Sequence, residues 1–310
     1  MTKTVTVIGL GNVGRVLVHL LLGSNHSLRL NILDPADWLS GAFLDIEHAL
    51  GMQPNKRVHF NDQQLFEASD FVFFTAGFPS KHGASRLTTV RDNTQLVKEI
   101  FFEKELNPKM HIVAITNPVD VITAALLKYS GLPSNQVIGT GTYLDSQRFS
   151  YHLAQLAQVD YREVKALILG EHGESCAPIL SKSLYQHQPI LESKLFTPEL
   201  TDKALYQTHH AAFEIRKTEP GTSTAVSHCA MRIMEFLMDE EENQLPVSVL
   251  LTDAWKNQLE LKHPICMSIP AVLSSKGLQI PEPIQLKNGE LSALKRSAQM
   301  LLEYQGFLEG

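Results

Sequence analysis

The first half of the chain alternates short apolar runs with longer segments in which apolar positions recur at helical spacing. Continuous apolar runs, such as Phe71 to Phe74 and Ile112 to Ile115, are typical of strands covered on both faces. The pattern predicts strands at Thr4–Ile8, Leu28–Leu33, Val58–Phe60, Asp70–Thr75, Ile112–Ile115 and Gln136–Ile138. Between them it predicts helices at Asn12–Leu22, Ala36–Leu50, Thr88–Leu106 and Val119–Tyr129. This alternation predicts an α/β fold with a doubly wound parallel sheet.

The second half has longer helical segments and more scattered strands. Helices are predicted at Asp145–Gln158, Pro198–Lys217, Thr222–Met238 and Gly289–Leu308. Strand-like segments are Val164–Leu169, Val247–Thr252, Ile265–Ser274 and Leu278–Gln279. We therefore expect two domains, 1–141 with the parallel sheet and 142–310 of mixed α+β structure, and a substrate site where they meet.

Composition narrows the functional classes. The 310 residues are 44% hydrophobic and 19% charged, which is ordinary for a globular protein. A net charge of -6 argues against a nucleic-acid or anionic-membrane partner. Interruptions by glycine and polar residues near the N-terminus argue against a signal peptide, and no apolar run suits a membrane span. Three cysteines without metal-like spacing indicate reduced thiols, so we expect a cytoplasmic protein without a bound metal.

A glycine-rich turn follows the first strand, with the spacing G-x-G-x-x-G at Gly9, Gly11 and Gly14. Gly9 permits the tight turn, Gly11 lets a pyrophosphate approach the backbone, and Gly14 lets the helix pack on the sheet. Asp34 ends the second strand, where an acid binds the adenosine ribose hydroxyls and repels a 2′-phosphate. The pattern predicts a dinucleotide site that favours NAD over NADP. The alternative is a glycine-rich turn that binds nothing.

Two polar segments follow later strands of the parallel sheet. Residues 75–86 form a loop of glycine, proline and polar residues, typical of a lid that excludes water, and Arg86 at its end can bring a cation to a substrate. An ordinary surface loop is the alternative. Asn117 follows the strand at Ile112–Ile115 and can donate to a substrate oxygen, with Pro118 holding a tight turn that can be cis. The alternative there is a common Asn-Pro helix start.

Two further segments carry charge and a histidine. Asp145 and Arg148 are three residues apart on one predicted helix face, where the guanidinium can hold a carboxylate, although a surface ion pair is the alternative. His172 lies between glycines at a strand end, which suits proton exchange at neutral pH, although most histidines are structural. A carboxylate such as Asp145 would orient it and raise its pKa. With a nicotinamide cofactor, these groups suit hydride transfer to a small 2-oxo acid.

In this order and at these separations, the segments resemble the L-lactate/L-malate dehydrogenase family over essentially the whole chain. The resemblance implies a Rossmann-type NAD-binding domain followed by an α+β substrate domain, and a homo-oligomer, either a dimer or a tetramer. It implies His172 as acid and base, Asp145 as its orienter and Arg86 as polariser of the carbonyl. The implied substrate-binding residues are Arg148, Asn117, Ser80 and Thr222. The implied NAD-binding residues are Gly9, Gly11, Val13, Gly14, Asp34, Thr75, Ala76, Gly77, Asn117 and Thr140.

Ser80 and two other positions separate this chain from typical members of that family. The general resemblance is to bacterial lactate dehydrogenases, which present glutamine where this chain has Ser80, whereas malate enzymes present arginine. Serine supplies no cation for a second carboxylate and leaves room for 2-oxo acids bulkier than pyruvate. The positions through which many bacterial relatives bind fructose 1,6-bisphosphate are Ser150 and Lys165 here, so we expect no strong activation. The alternatives are a malate dehydrogenase, an L-2-hydroxyisocaproate-type dehydrogenase and a non-catalytic NAD-sensing protein.

Overall fold

A computed structural model describes residues 2–78 and 86–305 of the chain, together with the side chains in those ranges except at positions 38 and 86–88. The strands of the first half are β1 (Lys3–Ile8), β2 (Leu28–Leu33), β3 (Lys56–Phe60), β4 (Phe71–Phe74), β5 (His111–Ala114) and β6 (Val137–Gly139). The helices between them are α1 (Asn12–Gly23), α2 (Ser40–Ala49), α3 (Gln63–Glu67), α4 (Arg86–Phe101) and α5 (Val119–Ser130).

The six strands of the first half form the predicted parallel sheet. Their order across the sheet is β3, β2, β1, β4, β5, β6, and every neighbouring pair is parallel. The order reverses between β1 and β4, so the loops that leave the carboxyl ends of these two strands diverge and open a crevice. Ligands of doubly wound sheets bind at such a reversal. The glycine-rich turn follows β1 and the segment beginning at Thr75 follows β4, so both predicted cofactor segments border this crevice.

The second half contains α6 (Tyr143–Ala157), α7 (Pro198–Arg216), α8 (Thr224–Met238), α9 (Asp253–Gln258) and α10 (Asn288–Gln305). Its strands are β7 (Val164–Lys165), β8 (Ile168–Leu169), β9 (Ala177–Pro178), β10 (Leu184–Tyr185), β11 (Gln188–Pro189), β12 (Asn243–Leu250), β13 (Cys266–Ser274) and β14 (Gly277–Gln279). The last three extend the main sheet to nine strands, because β12 pairs antiparallel with β6. The periodicity predicted these strands but not their attachment to the parallel sheet.

The sheet separates two apolar clusters. On β4, Phe71 and Phe73 pack into one cluster, whereas Val72 and Phe74 pack into the other, and all four are buried. Side chains of successive strand residues point to opposite faces, so this alternation shows that both faces of β4 are covered. The prediction from the continuous apolar run is confirmed.

Four predicted elements are wrong in extent. The strand predicted at Val247–Thr252 is β12, which spans Asn243–Leu250. The strand predicted at Val164–Leu169 is divided into β7 and β8, because serine side chains take the backbone donors between them: Ala166 N donates to Ser150 Oγ at 2.8 Å. The helix predicted at Ala36–Leu50 begins as a 3₁₀ turn, and α2 spans only Ser40–Ala49. The helix predicted at Thr88–Leu106 ends at Phe101, two residues before Glu103 adopts a φ of 59°.

Candidate active site

The glycine-rich turn has the close contacts that its spacing predicts. Gly9 has a φ of 94°, and a Cβ there would lie 2.7 Å from Ala76 Cα. A Cβ on Gly14 would overlap the Gly9 carbonyl oxygen and lie 2.9 Å from Thr75 Oγ1. A Cβ on Gly11, in contrast, would meet no protein atom within 4 Å among the described residues. Gly9 and Gly14 are therefore required by packing, whereas Gly11 leaves the backbone open to a ligand.

The N-terminus of α1 offers donors to a phosphate. Gly11 precedes the helix and provides no side-chain cap, and the first turn contains no acidic residue. Unpaired N–H groups and the positive end of the helix dipole favour an anion there. Val13, in the first turn, also accepts a hydrogen bond at its carbonyl from Ser227 Oγ, which joins α1 to α8. The donor set therefore fits the pyrophosphate of a dinucleotide.

Asp34 joins the end of β2 to the glycine-rich turn. Its Oδ2 accepts from Leu10 N at 2.8 Å and its Oδ1 accepts from Ala36 N at 3.1 Å. The carboxylate is therefore fixed at the predicted ribose position, and each oxygen retains lone pairs for a hydroxyl group. Such an oriented anion suits the free ribose of NAD and opposes a 2′-phosphate.

Thr75 and its neighbours connect the ends of β1, β4 and β5. Thr75 Oγ1 donates to the Gly9 carbonyl at 2.8 Å, and Thr116 Oγ1 donates to the Ala76 carbonyl at 2.8 Å. Gly77 lies so close to Thr116 that a Cβ would approach Thr116 Cγ2 to 2.5 Å. These contacts hold the backbone that follows β4 against the ends of β1 and β5, at the bottom of the crevice.

Asn117 follows the end of β5 and precedes a cis peptide bond to Pro118. The side chain of buried Asn93, on α4, donates to the Asn117 carbonyl at 2.9 Å and accepts from Phe78 N at 2.7 Å. The sequence pattern gives Asn93 no role, since its only signal is a polar side chain within a helix. Thr140, also predicted to contact the cofactor, is buried just after β6, and its N–H donates to the Ala114 carbonyl at 2.9 Å.

His172 and Asp145 are in direct contact. The Nδ1 atom of His172 lies 2.6 Å from Asp145 Oδ2, although the residues are 27 positions apart. Burial opposes protonation of His172, but the Asp145 carboxylate, with a smaller contribution from Asp120, outweighs that effect and raises the pKa of the imidazole. Burial likewise opposes ionisation of Asp145, but the imidazole, together with Arg148 and His209, outweighs it, so the pKa of this carboxyl is lowered. A hydrogen bond at Nδ1 leaves Nε2 as the atom that can exchange a proton with a ligand.

Arg148 lies one helical turn after Asp145 on α6, and it lines a cavity of about 770 Å³. Thr222 lines the same cavity, so Arg148 and Thr222 border one recess. A guanidinium in such a recess binds a carboxylate through two parallel hydrogen bonds. The surface ion pair considered as an alternative is wrong, since Asp145 is buried and bonds the imidazole.

Asp120, to which the sequence pattern gave no role, is a third group in contact with the histidine segment. It lies in the first turn of α5, is 2% exposed, and accepts from His172 N at 2.9 Å through Oδ2. Burial raises the pKa of Asp120 to about 6, although Ser248 and the His172 N–H partly offset that effect. The sequence signal for Asp120 was an acidic residue in the otherwise apolar first turn of the helix that follows Asn117.

Two predicted site residues are not placed by the structure. Ser80 lies outside the described residues. Arg86 begins α4, but its side chain also lies outside the description. Within the described ranges, no group of three or more His, Cys, Asp or Glu could hold a metal ion. In the same ranges, no helix has the length and apolar character needed to cross a membrane.

Comparison with known proteins identifies the family. Residues 3–139 match the lactate/malate dehydrogenase NAD binding domain, and residues 142–305 match the lactate/malate dehydrogenase alpha/beta C-terminal domain. The L-lactate dehydrogenase of Acetivibrio thermocellus is 31% identical over 308 residues, which cover 97% of this chain and 96% of that protein. L-lactate dehydrogenase A of Hordeum vulgare is 31% identical, covering 98% of this chain and 86% of that protein.

Solved structures agree with these sequence matches. A lactate dehydrogenase from a Medee basin deep-sea metagenome library aligns with a TM-score of 0.88 at 27% identity, over 98% of this chain and 99% of its own. The minor L-lactate dehydrogenase of Enterococcus mundtii aligns with a TM-score of 0.89 at 25% identity, over 99% of this chain and 98% of its own. The cofactor is NAD, as the matched N-terminal domain indicates. The chain belongs to the lactate/malate dehydrogenase family of NAD-dependent 2-hydroxy acid oxidoreductases.

Proposed function

We propose that this chain is an L-lactate dehydrogenase that interconverts pyruvate and L-lactate. The observation that carries the proposal is the contact of His172 with Asp145, one helical turn from Arg148. An oriented imidazole supplies or takes a proton, and a guanidinium holds a carboxylate. A 2-oxo or 2-hydroxy acid has the two groups that this arrangement recognises.

His172 moves the proton in the proposed mechanism. NAD, when bound, supplies or accepts the hydride at the substrate carbon that bears the oxygen. During pyruvate reduction, the protonated imidazole gives its Nε2 proton to the substrate oxygen, while Asp145 stabilises the positive ring through Nδ1. During lactate oxidation the neutral ring takes that proton. Asp145 therefore fixes both the tautomer and the direction of the ring.

Arg148, Asn117 and Arg86 have proposed roles around the substrate. Arg148 and Thr222 line one cavity, where Arg148 would bind the substrate carboxylate and Thr222 would border the side chain. Asn117 would donate its amide to the substrate oxygen. Arg86, at the start of α4, would bring its cation to the same oxygen and polarise the carbonyl.

Ser80 supports pyruvate over oxaloacetate. A second carboxylate in a closed site needs a cation, because leaving a buried charge unpaired costs several kcal/mol. Serine supplies none, and its small side chain leaves room for 2-oxo acids bulkier than pyruvate. We therefore propose a lactate-type preference with tolerance of larger aliphatic substrates, and a malate dehydrogenase is the weaker alternative.

Ser150 argues against activation by fructose 1,6-bisphosphate. It is 6% exposed, and its hydroxyl donates to the Ser146 carbonyl at 2.9 Å and accepts from Ala166 N at 2.8 Å. The residue therefore joins α6 to the segment that follows β7. Lys165 is exposed and supplies a point charge, but it lacks the bidentate geometry of an arginine. We propose that the sugar bisphosphate has no strong effect on the enzyme.

Two further proposals concern the setting of the enzyme. We propose a homo-oligomer, dimer or tetramer, because that is the usual assembly implied by the family resemblance. We also propose a cytoplasmic location, which is supported by three buried cysteines that carry free thiols. Analytical ultracentrifugation tests the first proposal, and a monomer would contradict it.

A substrate panel tests the proposed function. Steady-state kcat/KM is measured with NADH for pyruvate, oxaloacetate and 2-oxoisocaproate, then repeated with NADPH and with fructose 1,6-bisphosphate. We expect activity with pyruvate, some with 2-oxoisocaproate, little with oxaloacetate, a strong preference for NADH and no fall in KM for pyruvate on adding the bisphosphate. A strong oxaloacetate preference would establish a malate dehydrogenase instead. No turnover with any acid, together with NADH binding, would favour the non-catalytic NAD-sensing alternative.

A further inference from the structure

The segment that carries His172 rests on the C-terminal helix. Gly170 has a φ of 102°, and a Cβ at this position would strike the hydroxyl of Ser297 and lie 3.0 Å from Ser297 Cβ. Ser297 lies on α10 and is fully buried. Two segments 127 positions apart are thus in van der Waals contact immediately before the histidine, and only a residue without a side chain fits there.

A closed chain of hydrogen bonds joins the same two segments. The Glu171 N–H donates to Ser297 Oγ at 2.7 Å, and Ser175 Oγ donates to Glu171 Oε2. The hydroxyl oxygens of Ser175 and Ser297 are 3.2 Å apart. A serine hydroxyl has one proton, and that of Ser175 is given to Glu171, so Ser297 donates to Ser175. The chain therefore begins at the Glu171 amide, passes through both serines and ends at the Glu171 carboxylate.

The Ser297 end of this chain of bonds is buried, whereas Ser175 is partly exposed. Glu171 is 8% exposed, and Ser297 is fully buried. A buried amide that loses its acceptor keeps the cost of its desolvation, so loss of the Ser297 hydroxyl would leave the Glu171 N–H unpaired at that cost. Hydrogen bonds that end on a carboxylate also strengthen one another. Ser297 is therefore a specific acceptor for the amide that precedes His172.

The helix that supplies Ser297 is fixed at both ends. Near its start, Glu290 accepts from the backbone N–H of Ser181 at 2.8 Å and from its hydroxyl at 2.6 Å. At its end, Gln305 accepts from Cys266 N at 2.9 Å and donates to the Cys266 carbonyl at 2.7 Å. Ser297 lies between these anchors, on the face that also buries the side chains of Leu294, Ala298 and Leu301. The hydroxyl is consequently held at a fixed position.

We propose that Ser297 is a positioning residue for His172, acting through the Glu171 main chain. This inference rests on the proposed function, in which His172 exchanges the substrate proton. Ser297 holds the amide of Glu171 from α10, and Asp120 holds the next amide, that of His172, from α5. Two successive amides are thus bound by two different helices, while Asp145 binds the imidazole. A displacement of about 1 Å in such a group can cost roughly 10²-fold in rate.

Hydrogen exchange and kinetics of Ser297→Ala test the proposal, with Ser292→Ala as the matched control. Ser292 lies on the same helix, but it is exposed and its hydroxyl donates within the helix, to the Asn288 carbonyl. We expect S297A to exchange amide hydrogens in residues 168–176 about 10-fold faster, in the range set by one lost hydrogen bond. We also expect kcat for pyruvate to fall about 10-fold with a larger isotope effect from 4-deuterated NADH, while NADH affinity is retained. S292A should match the wild type in all measurements.

Ser175→Ala removes the bonds of Ser175 to Glu171 and Ser297, and so breaks the same chain of bonds at its other serine. It gives a second test if S297A does not fold. We expect S175A to change exchange and kcat in the same direction, and the double variant S175A/S297A to lose less than the sum of the two. Unchanged exchange and kcat in the folded variants would overturn the proposal, as would a lower Tm with wild-type kcat and isotope effect. The exchange measurement needs no activity, so it remains decisive even if His172 variants show that the proposed function is wrong.

Discussion

The imidazole Nδ1 of His172 lies 2.6 Å from Oδ2 of Asp145, and the two side chains are only 21% and 13% exposed. Because solvent screens the two charges only weakly at this depth, the carboxylate stabilises the imidazolium more than it would on the surface. The raised pKa of His172 follows from this contact. A histidine held in this way stays protonated further into the neutral range, which is the state that pyruvate reduction requires.

Asp145→Asn should move the pH profile of pyruvate reduction. Because reduction needs the protonated ring, kcat/KM should be constant at low pH and should fall as pH rises through the pKa of His172. Removing the carboxylate lowers that pKa, so the fall in D145N should begin at lower pH, with kcat/KM reduced by at least about 10²-fold. Lactate oxidation should show the opposite pH dependence.

The matched control for that experiment is Asp160→Asn. Asp160 pairs with Arg162 on the surface, where the ion pair is open to solvent. Exposed ion pairs contribute little to protein stability, so D160N should keep the wild-type dependence of kcat/KM on pH. The same pH midpoint in D145N and wild type would contradict the role given to Asp145.

Asp120→Asn should lower the pKa of His172 without removing the acceptor for its N–H. The groups that act on the imidazole charge are Asp145, Asp120 and Arg148, of which the two acids favour protonation. Asp120 has a pKa of about 6 because of burial, so it is mostly ionised at neutral pH, and the amide variant removes that charge. We expect the His172 midpoint, followed by NMR of labelled histidine, to move to lower pH.

Asp70→Asn is the control for the Asp120 variant. Asp70 also accepts a backbone bond, from Thr4 N at 2.8 Å, but it lies directly before β4. D70N should leave the His172 midpoint unchanged. A midpoint in D120N equal to the wild-type value would show that Asp120 acts only as a hydrogen-bond acceptor.

Gly14→Ala should destabilise the fold and weaken NADH binding. The added Cβ would overlap the Gly9 carbonyl oxygen, so α1 would have to move away from the sheet. Overpacking of this kind typically costs about 1–3 kcal/mol in the free energy of unfolding. At Gly23, the other end of α1, an added Cβ would meet no described atom within 4 Å, so G23A should be neutral or slightly stabilising. Equal Tm and NADH affinity in G14A and wild type would contradict the packing role.

Ser80→Arg should move the substrate preference toward oxaloacetate. The guanidinium would supply the cation that a second carboxylate needs and would occupy the space left by serine. We expect kcat/KM for oxaloacetate to rise by at least about 10-fold, equivalent to roughly 1.4 kcal/mol, and that for 2-oxoisocaproate to fall. Ser80→Thr, which adds volume without charge, is the control. A preference unchanged by S80R would show that another position selects the substrate.

The features that could be predicted are those encoded by residues close together in the chain. The glycine-rich turn, the strand before it and Asp34 lie within 34 residues, and their physical roles follow from backbone geometry alone. The strands of the parallel sheet were placed within two residues at each end because apolar runs bounded by polar turns are a local signal.

The parts that escaped prediction depend on distant contacts. Ser297 bonds Glu171 across 126 positions, and Asp120 bonds His172 across 52 positions. A single polar residue in a helical pattern does not indicate which distant amide it binds. The split of the strand predicted at Val164–Leu169 has the same origin, because Ser150 and two other serines satisfy its donors from outside the sheet.

Pyruvate turnover by His172→Asn, compared with the wild type, tests the central claim most directly. Asparagine cannot supply a proton at neutral pH, although it can retain the bond to Asp145. We predict that kcat/KM for pyruvate with NADH falls by roughly 10²–10⁴-fold while NADH binding, measured by fluorescence, stays within about twofold of wild type. Wild-type turnover of pyruvate by H172N would contradict the assignment of His172 as the acid and base.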